Sequence, residues 1–81
     1  MNIEYEKLCN EIMLGREIDL IVGGKPFYIG PDYERKGFLV YDEQASTHVF
    51  SGNYRELLDY RFCGRYSLSD NYHDFTILYI M

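Results

Sequence analysis

The chain has 81 residues, 47% hydrophobic and 17% aromatic, and thirteen acidic against eight basic side chains leave a formal charge of −5. That is material for one domain, since domains rarely fall below about 50 residues, and two prolines with seven scattered glycines exclude disordered and collagen-like classes. The acidity sets the molecule's field against nucleic acid and anionic lipid, and no apolar run reaches the roughly 18 residues of a membrane span.

Residues 3–14 read as an amphipathic helix. Tyr5, Leu8, Cys9, Ile12 and Met13 fall on one stripe, with Glu4, Lys7, Asn10 and Glu11 opposite. Asn2 is placed to cap the start and Gly15 to stop it. The period then changes to two: Ile18, Leu20 and Val22 share a face, with Glu17 and Asp19 on the other. Gly23-Gly24 suits a two-residue hairpin turn, which sets Leu20 against Phe27 and Ile18 against Ile29. Pro26 lacks an amide proton, so its strand lies at an edge or begins there. A third strand follows at Gly37 to Tyr41, with Phe38 and Val40 facing one way and Leu39 and Tyr41 the other. A polar turn at residues 42–45 leads to a fourth strand, Thr47 to Phe50.

Asn53 followed by Glu56 has capping-box spacing, opening a second helix whose stripe is Tyr54, Leu57, Leu58 and Phe62 and whose stop is Gly64. Ser67 with Asp70 repeats that spacing, enough for one further helical turn. Asp74 to Ile80 closes the chain as a strand apolar on both faces, which predicts a place inside the sheet. The expected fold is therefore α+β: a single domain over residues 1–81, with an antiparallel sheet of about five strands packed on one face against two helices, in the order α-β-β-β-β-α-β.

The residues offer little chemistry. No C-x-x-C or H-x-x-x-H pair exists for a structural zinc site. Asp70, His73 and Asp74 could gather round a divalent ion, but turn punctuation before a strand is the plainer expectation. Cys63 lies between Arg61 and Arg65, charges that favour a thiolate, yet it continues an apolar stripe and reads as core, as does Cys9. Ser46, His48 and Asp42 make a triad only on paper. Gly23-Gly24-Lys25 lacks the upstream glycine and the Ser or Thr of a phosphate loop. Neither catalytic residues, metal ligands nor a cofactor are expected. Two lone cysteines in so small a chain point to reduced thiols and a cytoplasmic setting, and the N-terminus does not resemble a secretory leader.

The stretches IDLIVGGKPFYIG and HVFSGNYRELLDYRFCGRYSLSD, with the closing apolar strand, resemble small uncharacterised phage, prophage and mobile-element proteins of low-GC Gram-positive bacteria. Phe62-Cys63-Gly64-Arg65 departs from their pattern. The resemblance implies an inhibitor or adaptor that binds a host protein, including counter-defence factors of the anti-CRISPR kind. On this reading the partner is a larger protein, one with a basic surface fitting best, without membrane or direct nucleic-acid binding; a homodimer stays open. Tyr33, Glu34, Asp42, Glu43 and Tyr60 are the candidate contact residues. The rival classes are a small-molecule or nucleotide sensor or sponge, and a small hydrolase or nuclease built on Asp70, His73 and Asp74.

Overall fold

The structure, a computed structural model, describes residues 3–42, the backbone of 46–51, and residues 54–81. Helix α1 (Tyr5–Met13) precedes strands β1 (Ile18–Val22), β2 (Lys25–Asp32), β3 (Gly37–Tyr41) and β4 (Ser46–Ser51). Helices α2 (Tyr54–Asp59) and α3 (Leu68–Asn71), a 3-10 turn at Tyr72–Asp74 and strand β5 (Thr76–Ile80) complete the chain. The fold is α+β around an antiparallel sheet in the order β4-β3-β2-β1-β5. The expected order α-β-β-β-β-α-β is corrected by α3 and the 3-10 turn, which stand between α2 and the last strand. Ser67 starts α3 because its hydroxyl accepts the Asp70 amide proton at 3.1 Å, the cap that the Ser67–Asp70 spacing predicts.

Helix α1 begins at Tyr5 after Glu4, whose side chain makes no capping bond; the Asn2 cap lies outside the described residues. Its end follows the sequence closely. The amide of Gly15 (φ +78°) donates to the Ile12 carbonyl and that of Arg16 to the Glu11 carbonyl, the paired bonds of a Schellman stop. Leu8 and Ile12 are buried, whereas Met13, expected on the inner stripe, is exposed.

Gly23 and Gly24, at φ +60° and +73°, make the first hairpin turn, and the register is Leu20 opposite Phe27 and Ile18 opposite Ile29, as the alternation requires. Strand β2 is interior, and Pro26 is tolerated near its start. Strand β5, expected inside the sheet, lies at its rim with β1 as its one strand neighbour. Its two-sided apolarity reflects an exposed outer face rather than double burial. The register shifts between Asp19 and Leu20, so that Asp19 opposes Tyr79 while Leu20 opposes Ile77. Leu78 is the extra residue of a bulge, and Tyr79 is thereby turned onto the face opposite Ile77.

The core forms on one face of the sheet. Ile18, Leu20, Val22, Ile29, Val40 and Ile77 meet Leu8 and Ile12 of α1, Leu57 of α2, Leu68 of α3, and Phe62 and Phe75. Phe62 is the centre of this cluster. Its ring stands edge-on to Phe27, Tyr60 and Phe75 at centroid distances of 5.2, 5.1 and 5.3 Å. Helix α2 stops at Asp59, ahead of the expected Gly64, because the chain turns back: Cys63 and Gly64 both take positive φ (56° and 70°), and Phe62 and Tyr66 bridge across the turn. Phe62 is buried as expected, but Cys63 sits at the turn and is exposed, correcting its place in the core. Cys9 is partly buried, not fully. The Asn53 cap of α2 lies outside the described residues.

Candidate functional surface

Side chains alternate along a strand, so the face opposite the core follows from the register. It carries Glu17, Asp19 and Ile21; Pro26, Tyr28 and Gly30; Leu39 and Tyr41; and Thr76 and Tyr79, with the bulged Leu78 beside them. None of Ile21, Tyr28, Leu39, Tyr41, Leu78 and Tyr79 belongs to the core cluster or packs against it. Every buried residue of α1, α2 and α3 is in that cluster, so the helices are all engaged on the other side. Leu78 and Tyr79 are 54% and 59% exposed.

This face is organised around Tyr28. Its ring packs against Tyr41 at 5.3 Å, and its hydroxyl donates to the Glu17 carboxylate. Burial, then that bond and the nearby carboxylates of Glu17 and Asp19, hold its proton far above the ordinary tyrosine value. A groove of about 370 Å³ runs over the face, lined by Asp19, Pro26, Tyr28, Tyr41, Asp42 and Leu78. None of the described outward positions of β1, β2, β3 and β5 is Lys or Arg, so the charged groups among them are carboxylates.

A second groove, of about 350 Å³, lies at the end of the sheet where α1 stops, lined chiefly by Ile12, Met13, Pro31, Tyr33, Phe38 and Tyr54. Its rim is set by the β2–β3 turn, where the buried Asp32 carboxylate accepts the amide protons of Glu34 and Arg35 and fixes the loop that displays Tyr33, 86% exposed.

The expected contact residues are not gathered on one surface. Tyr33 and Glu34 sit on the β2–β3 turn and Asp42 follows the opposite end of β3. Tyr60 packs edge-on to Phe62 beside the core. Glu43 lies outside the described residues. Of the four that are described, Asp42 alone lines the groove on the face opposite the core. Loop position guided the sequence expectation, whereas the aromatic surface is in strand interiors. Its signal was available in the pairing of Leu20 with Phe27, which turns Tyr28 outward with Asp19.

The remaining chemistry is sparse. Among the described residues no three His, Cys, Asp or Glu side chains converge as a metal site. His73 contacts Asp74 at 3.6 Å, while Asp70 faces Arg61 at 3.8 Å. Burial pushes the Cys9 thiol above its ordinary value, which works against a thiolate nucleophile. Tyr5, 5.3 Å from the Tyr72 ring, is pushed up to about 12 by burial and by Cys9. Tyr72 donates to the Ile3 carbonyl at 2.6 Å, tying the segment before β5 to the start of α1. Among the described residues no helix is long and apolar enough to cross a membrane.

No family model, curated protein or solved structure matches the chain.

Proposed function

We propose that the chain is a non-enzymatic binding protein, an inhibitor or adaptor that lays its uncovered sheet face against a larger protein. The observation carrying this reading is that Ile21, Tyr28, Leu39, Tyr41, Leu78 and Tyr79 share a face and are left out of the core. The solvated side of an antiparallel sheet ordinarily alternates to polar residues. A contiguous aromatic and aliphatic surface is instead characteristic of interaction sites, where tyrosine is enriched. The sequence resemblance to phage and mobile-element proteins makes a counter-defence role, of the anti-CRISPR kind, the biological setting of this proposal. The unpaired thiols Cys9 and Cys63 fit a reducing cytoplasm.

The test uses the whole chain as immobilised bait for a bacterial lysate, beside a Tyr79→Glu variant of the same thermal stability. A stoichiometric partner held by the parent chain and lost by the variant supports the proposal. Identical retention on both baits, or no partner, overturns it.

A second reading, a small-molecule sensor or sponge, is favoured by the two grooves, whose volumes of about 350 and 370 Å³ sit at the small end of ligand pockets. A screen of nucleotides for thermal stabilisation separates the two, since a tight ligand raises the midpoint by mass action.

A further inference from the structure

We infer that the partner's contribution to the uncovered face is a cationic segment rich in arginine, with guanidinium groups lying on the tyrosine rings and bonded to the carboxylates of Glu17 and Asp19. The inference rests on the binding role proposed above and adds the chemistry of the occupant.

Charge complementarity is the argument. Glu17, just ahead of β1, and Asp19 on it stand two residues apart and project to the same side, with Tyr28 across from Asp19 on β2 and Tyr79 across from it on β5. Asp19 therefore lies between two tyrosines on neighbouring strands. Glu17 accepts one hydrogen bond from the Tyr28 hydroxyl and keeps further acceptor capacity, because a carboxylate offers about four lone-pair sites. Among the described outward strand residues no Lys or Arg neutralises these acids. A planar guanidinium satisfies both halves of such a surface: it bonds carboxylates through paired N–H donors and stacks on aromatic faces. The chain uses the stacking half internally, with the Arg65 guanidinium 5.4 Å from the Tyr66 ring centroid.

The same features disfavour other occupants. A second copy laid face to face would oppose Glu17 and Asp19 with their own like charges, on molecules each carrying −5. Nucleic acid would meet carboxylates with phosphates. A neutral apolar segment would bury Asp19 without a counter-charge, which is costly.

The experiment titrates the intact 15N-labelled chain with a short Arg–Gly repeat peptide and with its citrulline counterpart, which keeps the side-chain shape without the charge. Expected are shifts confined to β1, β2, β3 and β5, weakening as NaCl is raised to about 0.5 M, and no binding of the citrulline peptide. Glu17→Gln with Asp19→Asn should weaken binding about tenfold or more, the loss of at least one charge-assisted bond. Glu56→Gln with Asp70→Asn, which changes net charge equally away from the face, should leave it unaltered. Equal weakening by both pairs, shifts spread over the surface, or equal binding of the citrulline peptide overturns the inference. A lysate partner that depends on Tyr79 but not on Glu17, Asp19 or salt would sink the cationic occupant while leaving the binding role standing.

Discussion

Replacing Phe62 with alanine should remove more stability than any other single truncation in this chain. Phe62 is fully buried and is the shared member of three edge-on ring contacts, to Phe27 on β2, to Tyr60 after α2 and to Phe75 ahead of β5. Truncating a buried phenylalanine costs about 3–5 kcal/mol through lost transfer energy and the cavity left behind. The three ring pairs, each about 0.5–1.5 kcal/mol by double-mutant cycle, overlap with that figure and place the site at its upper end, near about 4 kcal/mol. A domain of this length has a total stability of about 4–12 kcal/mol, so Phe62→Ala should lower the melting midpoint by on the order of 20 °C or leave the chain unfolded. Urea denaturation followed by circular dichroism reads the change, with Tyr33→Ala as the exposed control, expected within about 0.5 kcal/mol of the parent. Phe62→Leu, keeping most of the apolar volume, should fall between them. A Phe62→Ala loss below about 1 kcal/mol would refute the place of this ring at the centre of the core.

Other consequences are local. Gly23→Ala and Gly24→Ala both force a side chain into positive φ, at about 1–2 kcal/mol each, but an added Cβ at Gly23 lies 3.2 Å from the Tyr66 ring while at Gly24 it meets nothing within 4 Å. In urea titrations Gly23→Ala should therefore be the more destabilising, by about 1 kcal/mol. Ser67→Ala, which strands the buried cap of α3, should cost about 1 kcal/mol in the same assay. Tyr5, raised to about 12 when folded, keeps its proton in both states below about pH 10. From there the unfolded chain ionises first, so stability falls as pH rises toward 12, and Tyr5→Phe should flatten that decline in pH-dependent unfolding curves.

What could be read from the residues was whatever local chemistry decides. The Schellman stop at Gly15, the Gly23-Gly24 turn with its register, and the Ser67 cap each depend on a few neighbouring residues, and each has the geometry the sequence predicts. The sequence does not place strand β5, because apolarity on both faces fits a buried strand and equally fits a rim strand with an exposed aromatic side. Only the pairing with β1, and the bulge at Leu78 that turns Tyr79 beside Asp19, separate the two. Phe62 fits the helical stripe of α2 and so extends the expected helix too far; its burial is real, but Cys63 and Gly64 in left-handed geometry deliver it from a turn. The candidate surface lies in strand interiors rather than loops, where the period-two pattern turns Asp19 away from Ile18 and Leu20, and Tyr41 away from Val40.

The most direct test of the binding account is the affinity of the isolated partner for three forms of the chain: parent, Tyr79→Ala and Tyr33→Ala. Loss of an interface tyrosine at a contact centre commonly exceeds tenfold, so Tyr79→Ala should raise Kd by about that factor or more at unchanged fold, and Tyr33→Ala should leave it alone. An unchanged Kd for Tyr79→Ala, with the loss appearing at Tyr33 instead, would place the interface at the far end of the sheet and contradict the account.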